Sequence, residues 1–336
     1  MADKIRFGIL GCGTIARFHA DAIGSIEEAE LVGAASAIPA EVQQFSQQYN
    51  VKGYDSYEEM LADESIDAIC VCTPSGFHAD NALQALRAGK HVVLEKPMAF
   101  TREQTREICA EVEKSGCKLT VICQLRFAEN IRKVKKLVEE KAFGDLVFCD
   151  LYMKYWRSPE YYATSPWKGT RKLDGGGALM NQGIHGIDLL LYLVGNAKVL
   201  HAKNETRLHN IEVEDASVAM LEFENGAMGV IEGSSCAWPG FERRLEINGT
   251  RGCVVLVEGQ IDKLIIDGET LVQNGASATS GTASDPTAFA YDLHAAQIRN
   301  FIGAIRGEEE LMIPATEGAR AVSLIEDIYK FGCVKG

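Results

Sequence analysis

Apolar and polar positions change rhythm near residue 124 of the chain. Before that point, short and almost continuous apolar runs at 4–10, 30–35, 68–72, 91–95 and 119–123 alternate with stretches of helical period at 39–49, 56–62, 78–88 and 102–115. Strands buried on both faces and separated by amphipathic helices predict a parallel sheet covered on both sides. Gly53, Gly89 and Gly116 punctuate helix-to-strand junctions. Beyond 124 a helix over 130–140 leads into strand-like runs at 146–155, 199–203, 217–223, 227–233, 243–247, 253–257 and 263–266. Short turns such as Glu224-Asn225-Gly226 and Asn248-Gly249 join several of them, as antiparallel hairpins require. Residues 274–286, rich in Gly, Ser, Thr and Ala, read as a mobile surface loop, and helices over 289–306 and 316–331 close the chain.

The first apolar run ends in Gly11-Cys12-Gly13-Thr14-Ile15-Ala16, followed by a helical stretch. This is the Gly-x-Gly-x-x-Ala dinucleotide fingerprint in its strand–turn–helix context. Gly11 permits the tight turn, Gly13 lets backbone approach a pyrophosphate, and Ala16 lets the helix pack closely on the strand. The free N–H groups of Gly13, Thr14 and Ile15 and the positive helix end suit phosphates. The fold class is therefore α/β plus α+β. Residues 1–123 form a Rossmann dinucleotide-binding domain, and 124–336 form a substrate-binding and oligomerisation domain on a large, mainly antiparallel sheet. The cofactor is NAD or NADP. An acid ending the second strand would bond ribose hydroxyls and repel a 2′-phosphate. Ser36 stands there instead, with no arginine beside it, so the sequence does not decide between them. Thr73-Pro74, after the 68–72 run, is a second cofactor contact or an ordinary strand exit.

Composition narrows the rest. A chain of 336 residues fits two domains, and 46% apolar residues supply two cores. A net charge of −13 disfavours nucleic acid and anionic membranes as partners. No apolar run reaches the roughly 18–20 residues of a membrane span. The chain enters its first strand almost at once, leaving no room for a signal peptide, so a cytoplasmic location is expected. Ten scattered cysteines without a Cys-x-x-Cys pair read as small buried hydrophobes of a reducing compartment.

Candidate chemistry lies in two places. Glu95-Lys96-Pro97 ends an apolar run, so Lys96 is presented at the carboxyl end of a strand on a stiff turn. In the second half, Gly175-Gly176-Gly177 lets backbone pass close to a ligand or another segment, and a helix follows. Asn181, His185 and Asp188 fall at i, i+4 and i+7 as a polar ladder beside its apolar side. A histidine titrating near neutrality suits proton transfer, although most helical histidines are structural. Zinc fits poorly and no metal is expected, because His185 and Asp188 find no further His or Cys at a suitable spacing.

Taken together, the fingerprint, Glu95-Lys96-Pro97, the Gly175–Asp188 segment and the His294-x-x-Gln297-Ile298 helix resemble the Gfo/Idh/MocA family of sugar and cyclitol oxidoreductases, along essentially the whole chain. The resemblance implies that Lys96 bonds the reacting oxygen and the nicotinamide ribose, and that His185 accepts or donates the proton. It brings Trp167, Lys168 and Arg126 to the cofactor, beside His78, Glu95, Thr73 and Pro74. Many relatives have aspartate where this chain has Asn181. Asparagine orients a ring or bonds a substrate hydroxyl but takes no proton, which moves proton work onto His185 and Lys96. Similar branches with Met-Asn at this place include nucleotide-sugar 3-dehydrogenases. Tyr155, Arg157, Tyr161, Tyr162, Arg171 and Tyr291 are candidates for a sugar pocket, with aromatic faces for rings and guanidinium groups for carboxylate or phosphate. The function expected is hydride transfer between nicotinamide and a secondary alcohol of a sugar, sugar derivative or cyclitol. The alternatives are an NAD-dependent glycoside hydrolase acting by transient oxidation and a non-enzymatic NAD(P)-binding sensor. A homodimer or homotetramer through the second domain's sheet is expected.

Overall fold

The computed structural model describes residues 4–274 and 291–332. Its contacts divide the chain into two compact units, the described residues of Met1–Gln124 with Ala290–Ala319, and those of Leu125–Phe289 with Arg320–Gly336.

The first unit begins β1 (Ile5–Leu10), α1 (Thr14–Gly24), β2 (Ala29–Ala35), α2 (Pro39–Tyr49), β3 (Lys52–Gly53), α3 (Tyr57–Ala62), β4 (Ala68–Val71), α4 (His78–Arg87), β5 (His91–Leu94), α5 (Arg102–Ser115) and β6 (Leu119–Val121). All pairings are parallel, in the order β3-β2-β1-β4-β5-β6, so strand order reverses between β1 and β4. Ligands bind at such a reversal, past the strands' carboxyl ends. Two of these helices start where a side chain satisfies a first-turn N–H group. Ser56 accepts from Glu59 at α3, and Thr101 accepts from Gln104 at α5. Helices α1, α2 and α4 have no side-chain cap, and at α1 the starting residue is Gly13.

The second unit contains α6 (Glu129–Glu139), β7 (Leu146–Lys154), α7 (Pro159–Ala163), α8 (Ile184–Val194), β8 (Ala197–Glu205), β9 (Ala216–Phe223), β10 (Met228–Ser234), β11 (Arg244–Gly249), β12 (Gly252–Val257), β13 (Gln260–Ile266) and β14 (Glu269–Gln273). The sheet order is β14-β13-β12-β11-β7-β10-β9-β8, antiparallel except for the central β7–β10 pair. Strand β14 escaped the sequence reading because its side chains are almost all exposed and carry no apolar alternation. Helix α8 packs on β7 so closely that a Cβ on Gly186 would meet the Met153 sulfur at 2.6 Å. Away from α8, Phe148 and its register partner Met228, with Met220 and Val218, leave apolar surface exposed on β7, β10 and β9.

Two helices end the described chain, α9 (Asp292–Arg306) and α10 (Ala315–Phe331). Helix α9 lies on α1, and its Gln297 accepts from Cys123 N–H (3.1 Å) while donating to Thr120 Oγ1 (2.9 Å) and Val121 O (2.7 Å). It thereby satisfies the Thr120 hydroxyl and Val121 carbonyl of the edge strand β6 and the Cys123 N–H just beyond it. The expected division at 123/124 differs from the compact units on this point, since the segment carrying α9 returns to the first. Residues 275–286 of the expected surface loop and 289–290 of the expected helix lie outside the described residues. Among the described residues, no helix is long and apolar enough to cross a membrane.

Candidate active site

In the first unit the fingerprint turn is shaped for a dinucleotide. Gly11 has φ +91°, and a Cβ there would fall 2.8 Å from the Cys72 carbonyl. Nothing lies within 4 Å of where a Cβ on Gly13 would stand. Thr14 is exposed and Ile15 half-buried, so the uncapped first turn of α1 presents its N–H groups outward. This open cradle fits a pyrophosphate.

The Thr73-Pro74 turn follows β4 and the Glu95-Lys96-Pro97 turn follows β5. His78 ties them together: Nδ1 lies 2.7 Å from Pro97 O and Nε2 2.9 Å from Thr73 O. Burial pulls this ring's pKa below its ordinary value, with the Lys96 charge adding to that against the pull of both carbonyls and Glu95. Thr73 Oγ1 accepts from Asn81 Nδ2 at 3.0 Å. Lys96 is half-buried, and its N–H donates to Glu95 Oε2 at 3.1 Å. Glu95 and His78, expected beside the cofactor, have their side chains turned inward, where buried polar atoms require partners.

Behind Lys96 lies a cluster that the sequence did not reveal. His19 on α1, Glu95 after β5 and His294 on α9 are all buried, with donor atoms within 4.8 Å of one another. His19 Nε2 donates to Glu95 Oε1 at 2.8 Å, and His294 Nε2 lies 3.9 Å from the same oxygen. Burial opposes charge on His19, but Cys72, Cys70 and Glu95 outweigh it and hold its pKa well above the ordinary value. Burial also pushes Cys72 itself up to about 11, which leaves it a neutral thiol. Glu95 is therefore the partner that matters at neutral pH. Burial would raise Glu95, yet the His19 hydrogen bond and charge bring it down to about 2. His294 goes the other way, to about 4, through burial and the His19 charge. The cluster is an imidazolium–carboxylate pair with a neutral imidazole beside it. Two histidines and a carboxylate are also a metal-compatible donor set, but the 2.8 Å hydrogen bond already satisfies the two charged members.

In the second unit the triglycine run approaches another chain segment. A Cβ on Gly177 would lie 1.8 Å from Glu214 O, and Glu214 accepts from Gly177 N–H and Leu179 N–H, both at 2.9 Å, and from Tyr329 OH at 2.7 Å. Burial raises the Glu214 pKa against those bonds. Residues Ala178–Gly183 form a π-helical turn before α8. That turn breaks the expected ladder. Asn181 precedes the regular helix, and Asp188 is buried in a bidentate pair with Arg126 (2.9 and 2.6 Å). Arg126, expected near the cofactor, also lies over the Tyr192 ring, with its guanidinium on Asp188.

Around Asn181 the unit assembles a polar network. Asn181 Nδ2 donates to Asp174 Oδ1, and the other Asp174 oxygen accepts from Gly169 N–H at 2.7 Å. Gln182 Nε2 donates to Asn181 Oδ1 (3.3 Å) and Tyr161 OH (3.0 Å), while its Oε1 accepts from Arg157 Nε at 3.1 Å. Lys168 Nζ sits 3.8 Å above the Tyr161 ring, its pKa lowered by burial and by Arg157 against Asp174. Trp167 is half-buried, and its carbonyl accepts from Thr170 Oγ1 at 2.7 Å. Buried Tyr155 lies beneath the Arg157 guanidinium. His185 is half-buried at the start of α8. Arg171 is exposed and donates to Glu212 O, Tyr162 donates to Ser235, and Tyr291 belongs to the first unit. Asp174 and Gln182 were missed. Their only sequence signal was proximity to the glycine run and Asn181.

The chain aligns with solved and curated proteins over nearly its whole length. The WlbA dehydrogenase from Bordetella pertussis, in complex with NADH and UDP-GlcNAcA, is 32% identical, with TM-score 0.87 over 97% of this chain and 96% of that one. The WlbA dehydrogenase from Chromobacterium violaceum, with the same two molecules, is 30% identical, with TM-score 0.87 over 98% and 94%. Inositol 2-dehydrogenase from Rhizobium meliloti is 28% identical over 96% of this chain and 95% of its own. Residues 5–123 match the oxidoreductase family with an NAD-binding Rossmann fold and residues 131–255 match the GFO/IDH/MocA C-terminal domain, so the chain belongs to the GFO/IDH/MocA family of oxidoreductases.

Proposed function

We propose that this oxidoreductase oxidises a secondary hydroxyl of a UDP-linked sugar, with Lys96 and His185 handling the proton and the alkoxide charge. The likeness over 97% of the chain to a dehydrogenase holding NADH and UDP-GlcNAcA carries this reading. Met180-Asn181 and the buried Arg157 beside Gln182 agree with it, since a fixed guanidinium suits an anionic sugar. When bound, nicotinamide supplies the acceptor for the two electrons and the hydrogen leaving the carbinol carbon. His185 takes the hydroxyl proton, and the Lys96 ammonium stabilises the oxygen as charge develops on it. Asn181, fixed by Asp174, orients a substrate hydroxyl without itself titrating.

The test is to mix protein, NAD⁺ and UDP-GlcNAcA and to follow absorbance of the reduced nicotinamide beside a panel of inositols, free sugars and simple glucosides. The UDP-sugar should give a kcat/KM at least about tenfold above the panel, equivalent to ~1.4 kcal/mol of discrimination. A preference for an inositol would move the assignment to the cyclitols. The exposed Phe148, Met220 and Met228 face is proposed as the surface of a homodimer or homotetramer, checked by sedimentation of the wild type and Met220→Lys.

A further inference from the structure

We infer that Glu41, acting through Ser36, makes the dinucleotide site select NAD over NADP. The inference needs only the dinucleotide site and is independent of the sugar proposed above. Ser36 is the first residue beyond β2, the place where such folds meet the adenosine ribose. Its hydroxyl donates to Glu41 Oε2 at 2.9 Å and accepts from Ile38 N–H at 3.3 Å. A serine hydroxyl has one proton and two lone pairs. The proton is committed to Glu41 and one lone pair to Ile38, so what remains to offer is a lone pair backed by a carboxylate. A ribose hydroxyl can donate to that lone pair. A 2′-phosphate, which carries close to two negative charges at neutral pH, meets an acceptor and a like charge.

Two further features disfavour the phosphate. Residues 20–51 include no Lys, Arg or His. The amino end of α2 would attract an anion, and Ile38 provides no side-chain cap. Glu41 lies in that first turn and already supplies the negative charge. Its field extends to the fingerprint: burial first, then Glu41 and Cys72, push the Cys12 thiol up to about 12. Glu41 therefore takes the part of the acid missing from the strand end, reaching it from the next helix.

Equilibrium titrations of the full chain with NADH and NADPH, followed by nicotinamide fluorescence, test this without any turnover. The wild type should bind NADH at least about tenfold more tightly. Glu41→Gln keeps the side-chain shape and removes the charge, and should narrow the ratio about fivefold or more, chiefly by tightening NADPH. Ser36→Ala should weaken NADH by a few-fold. Glu103→Gln, which removes a first-turn acid from α5, controls for loss of helix stability and should leave the ratio alone. A wild-type ratio near one, a preference for NADPH, or an unchanged ratio in Glu41→Gln would overturn the inference.

Discussion

The two units equip their candidate residues in opposite ways. Lys96 stands on a turn backed by a dry cluster of titratable groups, the His19–Glu95 ion pair with neutral His294. Asn181 stands in a half-exposed chain of amides, with one carboxylate, Asp174, at its end. A buried ion pair is rigid but responds to pH, because its members must keep their charges in a low dielectric. An amide chain orients its neighbours across the whole pH range. The contrast predicts pH-sensitive support behind Lys96 and pH-insensitive orientation around Asn181, and each variant below tests that division.

The largest effect belongs to Lys96. Lys96→Ala should lower kcat by about 10²–10⁴-fold, the usual range for a group acting on charge and protons in the transition state. NADH binding should survive within a few-fold. Equal losses of binding and turnover would make Lys96 a cofactor clamp and break the comparison at its first term. Next is the Arg126–Asp188 pair, a buried charge pair in the second unit. Asp188→Ala leaves a buried guanidinium without its carboxylate and should cost about 3–5 kcal/mol of stability in urea unfolding. Arg126→Met with Asp188→Leu should recover most of it. If Asp188→Ala instead keeps its stability and loses turnover, the expected polar ladder regains its third member.

The sequence disclosed these features unequally. The fingerprint and the Lys96 turn were readable because local backbone chemistry makes them: Gly11 needs positive φ, Gly13 needs open space, and Pro97 fixes a turn. Support for Lys96 was unreadable, since His19 and His294 come from helices some 275 residues apart and meet only through packing of α1 on α9. Periodicity placed His185 on a helix correctly but also projected Asn181 onto it, and a π-helical turn has no simple apolar signature. The absence of an acid at 181 looked like a loss. Asp174, seven residues earlier, restores a carboxylate one bond away.

That carboxylate carries the third prediction. Asp174→Asn should lower kcat by about 10–100-fold, as expected for a charge-assisted hydrogen bond worth ~1.5–3 kcal/mol. Asn181→Asp alone sets two carboxylates against each other and should displace the acid limb of the pH–rate profile upward. The double variant Asp174→Asn with Asn181→Asp moves the charge by one partner along the hydrogen-bonded chain and should recover activity. A double variant no better than the worse single one would show that Asp174 serves folding only.

The smallest effect, and the finest test of the contrast, is the pH dependence of the buried cluster. His294 has a folded pKa depressed from 6.5 to about 4, so the unfolded chain takes up the proton first as pH falls. Stability is therefore lost from about pH 6.5 downward, by about 1 kcal/mol between pH 7 and 5.5 for this one group. Glu95, depressed from 4.5 to about 2, adds its loss only below pH 4.5. His19 has the opposite sign, because its raised pKa contributes stability below its unfolded value that disappears at alkaline pH. Between pH 7 and 5.5 the unfolded His19 also takes up its proton, so its growing contribution opposes the His294 loss, and the His294 loss stands alone only below that window. His294→Gln should accordingly shift the slope of the unfolding free energy between pH 7 and 5.5 toward a gain on acidification, by about 1 kcal/mol over the window, whatever it does to stability at pH 7. Asp174→Asn, in the amide-linked unit, should leave that slope as in the wild type. An unchanged slope in His294→Gln would place the acid-sensitive proton elsewhere and remove the titrating half of the comparison.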